Sequence, residues 1–104
     1  MRKEVFVIDS KDNVATLVSE DGKKGRSVDV ELGGKKTAYK LKDAIPFGHK
    51  FAIQPIPKGQ QVIKYGHSIG TATTNIQPGQ HVHLHNLESN RGRGDLAAKK
   101  EASA

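Results

Sequence analysis

The sequence has no cysteine and no tryptophan, a single methionine, and aromatic residues at only 5% of its 104 positions. Without thiols it can build neither a disulfide framework nor a thiolate zinc site, which fits an intracellular protein. So few aromatics also leave no basic surface interleaved with stacking platforms for bases. The net charge is +6, yet its lysines and arginines are scattered: Lys23, Lys24 and Arg26, then Lys35 and Lys36, then Lys99 and Lys100. Nucleic acid is therefore disfavoured as a partner, and an anionic small substrate or an acidic protein surface accounts for the charge as well. Long apolar runs are missing too. The start, MRKEVFVID, offers only Val5 to Ile8, against about 7 to 15 apolar residues for a signal peptide and about 18 for a membrane span. No membrane association is expected, and the expected location is the cytoplasm. Apolar residues make up 35% of the chain, so the core is thin and a partner, a second copy or a different subunit, could supply further burial.

What is present is a run of short apolar segments with a period of two, separated by turn signals. Val5 to Ile8 and Asn13 to Val18 read as strands. Val28, Val30 and Leu32 alternate with Asp29 and Glu31, Gly33-Gly34 reads as a tight hairpin turn, and Thr37 to Lys42 alternates again. No helical stripe is sustained, so the expected class is all-β. One pattern occurs three times: Ile45-Pro46-Phe47-Gly48 before Phe51, Ile56-Pro57-Lys58-Gly59 before Val62, and Ile76-Gln77-Pro78-Gly79 before Val82. Each predicts a strand end plugged into the core, a turn whose glycine takes a conformation other residues resist, and a new strand. The result is a set of short, folded-over strands in one domain over residues 1–88. The polar segment 89–104 cannot bury enough apolar surface to order itself and reads as a flexible tail. Its Arg93-Gly94-Asp95 triplet would be an adhesion motif only in a secreted protein.

The chemistry-bearing stretch is His81-Val82-His83-Leu84-His85. On a strand, the three imidazoles point to one face and Val82 and Leu84 to the other. Neighbouring imidazoles about 6.6 Å apart at Cα can converge on one ion, whereas the outer pair, about 13 Å apart, can hardly do so. The pattern leaves three readings open: the wet side of an edge strand with no metal, part of a metal site, or an imidazole doing acid/base work. His49, after the first repeat's glycine, and His67, beside Gly66, are further candidate ligands.

Taken together, Gly48-His49-Lys50-Phe51-Ala52, Ile56-Pro57-Lys58-Gly59, Ile63-Lys64-Tyr65-Gly66, Ile69-Gly70, His81-Val82-His83-Leu84-His85-Asn86 and the earlier Asp12-Asn13-Val14-Ala15 resemble the SAF domain of the altronate dehydratase family over residues 5–87. The resemblance implies a β-clip fold and a place as the separate small subunit of a sugar-acid hydro-lyase, inactive without a large catalytic subunit. The small (alpha) subunit of sulfolactate sulfo-lyase is the neighbouring alternative. A non-catalytic SAF module that binds a ligand or partner, as in sialic-acid synthases, antifreeze proteins or pilus and flagellar assembly factors, is an alternative of another class. The galactarate branch resembles the chain through Gly48-His49-Lys50 and less through the histidine run.

The resemblance also implies a divalent metal, iron(II) with manganese as the alternative. On this reading His81, His83 and His85 are candidate metal ligands, with His83 and one flanking histidine the core of the set. His49 and His83 are candidates for catalysis, and Lys50 and Lys64 for binding the substrate carboxylate. The tail, through Arg91, Arg93 and Leu96, is expected either to dock on the large subunit or to act as an inert spacer.

Overall fold

A computed structural model describes residues 4–89; the expectations for the tail beyond residue 89 lie outside them. The strands are β1 (Val5–Phe6), β2 (Val14–Leu17), β3 (Ser27–Leu32), β4 (Lys35–Lys40), β5 (Lys50–Ala52), β6 (Gln61–Lys64), β7 (His67–Ala72), β8 (His81–Val82) and β9 (Leu87–Ser89). They form three antiparallel sheets, ordered β1-β2-β5-β8, β3-β4 and β6-β7-β9. No helix occurs among the described residues, and none there is long and apolar enough to cross a membrane. The expected all-β domain of short strands is what the chain adopts.

Burial explains why β2 does not alternate. All four residues of Val14–Leu17 are buried, because the central sheet has a core on each side. Ala15, Leu17 and Phe51 pack with Val28 and Val30 of β3, and with Leu41 and Ile45. Val14, Ala52 and Val82 pack with Val62, Ala72 and Leu87 from the third sheet, and with Ile56 and Ile76. A strand covered on both faces loses the period-two signal that a half-exposed strand keeps. β3 is such a half-exposed strand, with Val28 and Val30 buried and Ser27, Asp29 and Glu31 exposed. β1 is shorter than the expected Val5 to Ile8. The Asp12 carboxylate accepts the N–H groups of Ile8 (3.3 Å) and Asp9 (3.2 Å), drawing the chain out of the ladder and into a turn.

The threefold repeat folds as three copies of one turn. His49, Gln60 and Gln80 each donate an N–H to the carbonyl three residues back, at 3.0 Å in every case. The glycines before them, Gly48, Gly59 and Gly79, have φ of 81°, 90° and 91°. A positive φ at the third turn position marks a type II turn and favours glycine. The isoleucines that open the units and the second residues of the next strands, Phe51, Val62 and Val82, are all buried.

The second and third units also close on each other reciprocally. Ile56 and Ile76 exchange both backbone hydrogen bonds at 2.8 Å. The Gly59 N–H reaches the Ala72 carbonyl at 2.8 Å, and Gly79 reaches Ala52 at 2.8 Å. Ala72 donates in turn to Gln60 at 2.9 Å, and Ala52 to Gln80 at 3.0 Å. The segment Ala52, Ile56, Gly59, Gln60, Val62 thus recurs as Ala72, Ile76, Gly79, Gln80, Val82, in sequence and in space.

Candidate metal centre

The register of the central sheet builds the site. β5 and β8 pair Lys50 with Val82 and Phe51 with His81. Continuing that antiparallel register one step sets His49 opposite His83, on the face that also carries His81. Directly opposed side chains lie about 4.5 to 5.5 Å apart, and the ring centroids of His49 and His83 are 4.5 Å apart. His81 stacks at 5.2 Å from His49 and 5.4 Å from His83. One ligating nitrogen from each of the three lies within 4.8 Å of the others, and His49 Nδ1 is 3.0 Å from His81 Nε2.

The long alternating strand expected through the histidine run does not form. β8 ends at Val82, and the chain turns over residues 83–86, with the Asn86 N–H donating to the His83 carbonyl at 3.1 Å. Leu84, expected to face the core, is 78% exposed, whereas Val82 is fully buried. The turn also brings His85 back to a centroid distance of 5.4 Å from His81, far closer than an extended strand permits, although it stays outside the cluster of three. The structure therefore gathers His49, His81 and His83, rather than His81, His83 and His85. His67 begins β7, is exposed and does not join the cluster.

The turn is fixed by a residue to which the sequence reading gave no role. Asn86 is buried; its Oδ1 accepts the His83 N–H at 3.0 Å and its Nδ2 donates to the His81 carbonyl at 2.8 Å. An amide side chain offers an acceptor and a donor on two neighbouring atoms, which lets one residue take both backbone groups. Asp43 completes the frame, its Oδ2 accepting the His81 N–H at 2.9 Å. The local signal for Asn86 was its type, since asparagine often bonds its own nearby backbone at turns. Asp43 carried no signal, because its contact spans a long stretch of chain.

The electrostatics favour neutral imidazoles. Burial, reinforced by His49, His85 and His83, pushes His81 down to about 4, with Asp43 pulling the other way. His83 is lowered too, by desolvation and then by His49, Lys50 and His85. Lys50, half-buried, is lowered by burial and then by repulsion from Lys64. The two lysines therefore feel each other, and Lys50 feels His83. Lys64 reaches this place through the β6–β7 turn, where Tyr65 (φ 54°) and Gly66 (φ 79°) both take left-handed conformations. Asp12 Oδ1 accepts the Gly66 N–H at 2.8 Å, while Asn13 bonds the Ile63 N–H at 2.7 Å and the Gln61 carbonyl at 2.9 Å. The Asp12-Asn13 pair is thus the bracket that ties the lysine-bearing hairpin to the central sheet.

Comparison with known proteins agrees with this architecture. Residues 3–90 match the model of the altronate/galactarate dehydratase SAF domain. The chain is 36% identical over 93 residues to the (2R)-sulfolactate sulfo-lyase subunit alpha of Chromohalobacter salexigens, covering 88% of this chain and 99% of that subunit. It is 42% identical over 79 residues to the altronate dehydratase of Escherichia coli and 39% identical over 66 to that of Bacillus subtilis. These matches take in 76% and 60% of this chain, but it spans only 15% and 13% of those two relatives. The relatives are lyases or subunits of lyases, and with the family model matched over all the described residues, the chain belongs to the altronate/galactarate dehydratase SAF domain family.

Proposed function

We propose that the chain is the small subunit of a metal-dependent hydroxy-acid lyase of the altronate dehydratase type, acting in the cytoplasm and inactive without a large catalytic subunit. The observation that carries this reading is the convergence of His49, His81 and His83. Three nitrogen donors without a thiolate suit iron(II), with manganese as the alternative, and leave coordination positions open, unlike a closed four-ligand structural zinc. The 3.0 Å between His49 Nδ1 and His81 Nε2 fits the roughly 3 Å between adjacent donors whose bonds to one ion are about 2.0 to 2.1 Å. The lowered proton affinity of His81 and His83 keeps their nitrogens available at neutral pH.

An ion held there supplies a Lewis acid for the charge that develops on the substrate's oxygens. The remaining work falls to the chain's own side chains and to the large subunit. Lys50 and Lys64 receive the substrate carboxylate, and an anion between them relieves their mutual repulsion. His49 moves from an acid/base role to a ligand role. His85, exposed and beside the cluster, is the imidazole available to carry a proton to the departing group.

A second substrate reading has its own support. The chain spans 99% of a sulfolactate sulfo-lyase subunit alpha and 15% or less of the two altronate dehydratases. Loss of water from a 2,3-dihydroxy acid and loss of sulfite from sulfolactate both begin with a proton removed beside a carboxylate, so one site suits either.

The test is to co-produce the chain with its large subunit, supply iron(II), and assay altronate and sulfolactate in parallel. Turnover of one of them is expected, and it should be abolished by His83→Ala with the thermal melt of the isolated chain unchanged. Full turnover by His83→Ala would make the histidine face no more than the wet side of the fold.

A further inference from the structure

The large apolar side chains exposed among the described residues are Phe6, Ile8, Phe47, Tyr65 and Leu84. Phe47, 60% exposed, stands two residues before His49, and Leu84 lies between His83 and His85. Tyr65 follows Lys64, whose ammonium sits 5.1 Å from the centre of its ring. Ile8 comes to the same corner, because its N–H and that of Gly66 bind the two oxygens of Asp12. Lys64 in turn acts on Lys50, and Lys50 on His83. Exposed apolar side chains therefore neighbour the imidazoles, at Phe47 and Leu84, and Lys64, at Tyr65 and Ile8. The β3–β4 hairpin is the opposite case: its exposed positions are polar or small, and its larger residues Leu32 and Tyr39 pack against the core.

Single exposed apolar residues are ordinary, but several around an unfinished polar site are the composition of an interface. Tyr65 adds a second sign. A non-glycine residue at φ 54° is strained, at a cost of about 1 to 3 kcal/mol, and such strain gathers where a surface is shaped for a ligand or partner.

We infer that this face is where the large subunit docks, and that the matching surface of that subunit is acidic at its centre and apolar at its rim. The inference rests on the small-subunit reading above. On this chain the acids near these residues, Asp9, Asp12 and Asp43, each accept backbone N–H groups. The carboxylates that offset the lysines and fill the open positions beside the imidazoles come from outside the chain, and the apolar rim makes a protein surface their source.

Phe47→Ser and Leu84→Ser, made separately in the chain co-produced with its large subunit, should each weaken association at least tenfold. Both residues are exposed, so the melt of the isolated chain and its binding of cobalt(II) should stay as they are. Lys64→Glu should weaken association as strongly, and wild-type association should fall as salt rises. Lys36→Glu, on the hairpin, should change nothing. Loss of association through Lys36→Glu with the two serine variants unaffected would overturn the face assignment and leave the small-subunit reading standing. Salt-insensitive association together with a silent Lys64→Glu would overturn the acidic centre. A wild-type chain that never associates with the large subunit would overturn both readings.

Discussion

Two segments of this chain are written in the same alternating code and fold differently. Val28-Asp29-Val30-Glu31-Leu32 becomes a strand whose residues alternate between core and solvent along β3. His81-Val82-His83-Leu84-His85 keeps the alternation for two residues and then turns, leaving Leu84 in solvent. The first has a partner strand along its whole length, closed by the Gly33-Gly34 turn with φ of 61° and 80°. The second has Asn86, whose side chain takes the backbone groups a ladder would have used. Alternation proposes a strand; a continuous set of hydrogen-bond partners decides it.

The largest effect that tests this contrast is expected from a pair of aspartates. Val82→Asp buries a charge in the second core and should cost about 4 kcal/mol or more, unfolding the domain in a thermal melt. Leu84→Asp, two residues on, should shift stability by no more than about 0.5 kcal/mol. Equal effects from the two would mean that the alternating strand persists after all.

Next in size is the turn itself. Asn86→Ala leaves a part-buried carbonyl of His81 and N–H of His83 without their partner, about 1 to 2 kcal/mol by urea titration. It should also weaken cobalt(II) binding at least tenfold, because His81 and His83 lose their shared support. Stability lost with metal affinity kept would make Asn86 a structural residue only.

A smaller effect is expected from protons. His81 titrates near 4 in the folded chain against 6.5 unfolded, so the unfolded chain binds more protons between those values. Stability should therefore fall as pH drops from about 6.5 toward 4, and be independent of this residue above that window. The difference between wild type and His81→Gln, followed by melts at pH 7 and pH 4.5, isolates its share from that of the carboxylates. The hairpin, which contains no histidine, offers no such dependence. The smallest effect is a gain. Thr16 is buried, and its hydroxyl has no hydrogen-bond partner among the described residues, so Thr16→Val should stabilise by about 1 kcal/mol in the same melts.

What could be read in the sequence was what is local. The three Ile-x-x-Gly turns, the Gly-Gly hairpin and the burial of Val82 follow from residues within a few positions of one another. The partnership of His49 with His83 does not, because it depends on the register of β5 against β8, set by the packing of both cores. Asp43 was illegible for the same reason. His85 entered the ligand set through the family resemblance; the Asn86 turn brings its ring to 5.4 Å from that of His81, yet it stays outside the cluster of three.

The reciprocal closure of Ala52–Val62 on Ala72–Val82 has a consequence for how chemistry is distributed over the fold. Gln61 occupies on one half the place that His81 occupies on the other, but a register shift after Val62 sets Ile63 against Ser68, where the other half continues without a shift to set His83 against His49. One half holds β6 and the lysine-bearing hairpin with amide and aliphatic side chains; its counterpart holds three imidazoles. These two segments are close to a two-fold pair, and what separates them chemically is the register shift after Val62 and the three imidazoles that one half carries.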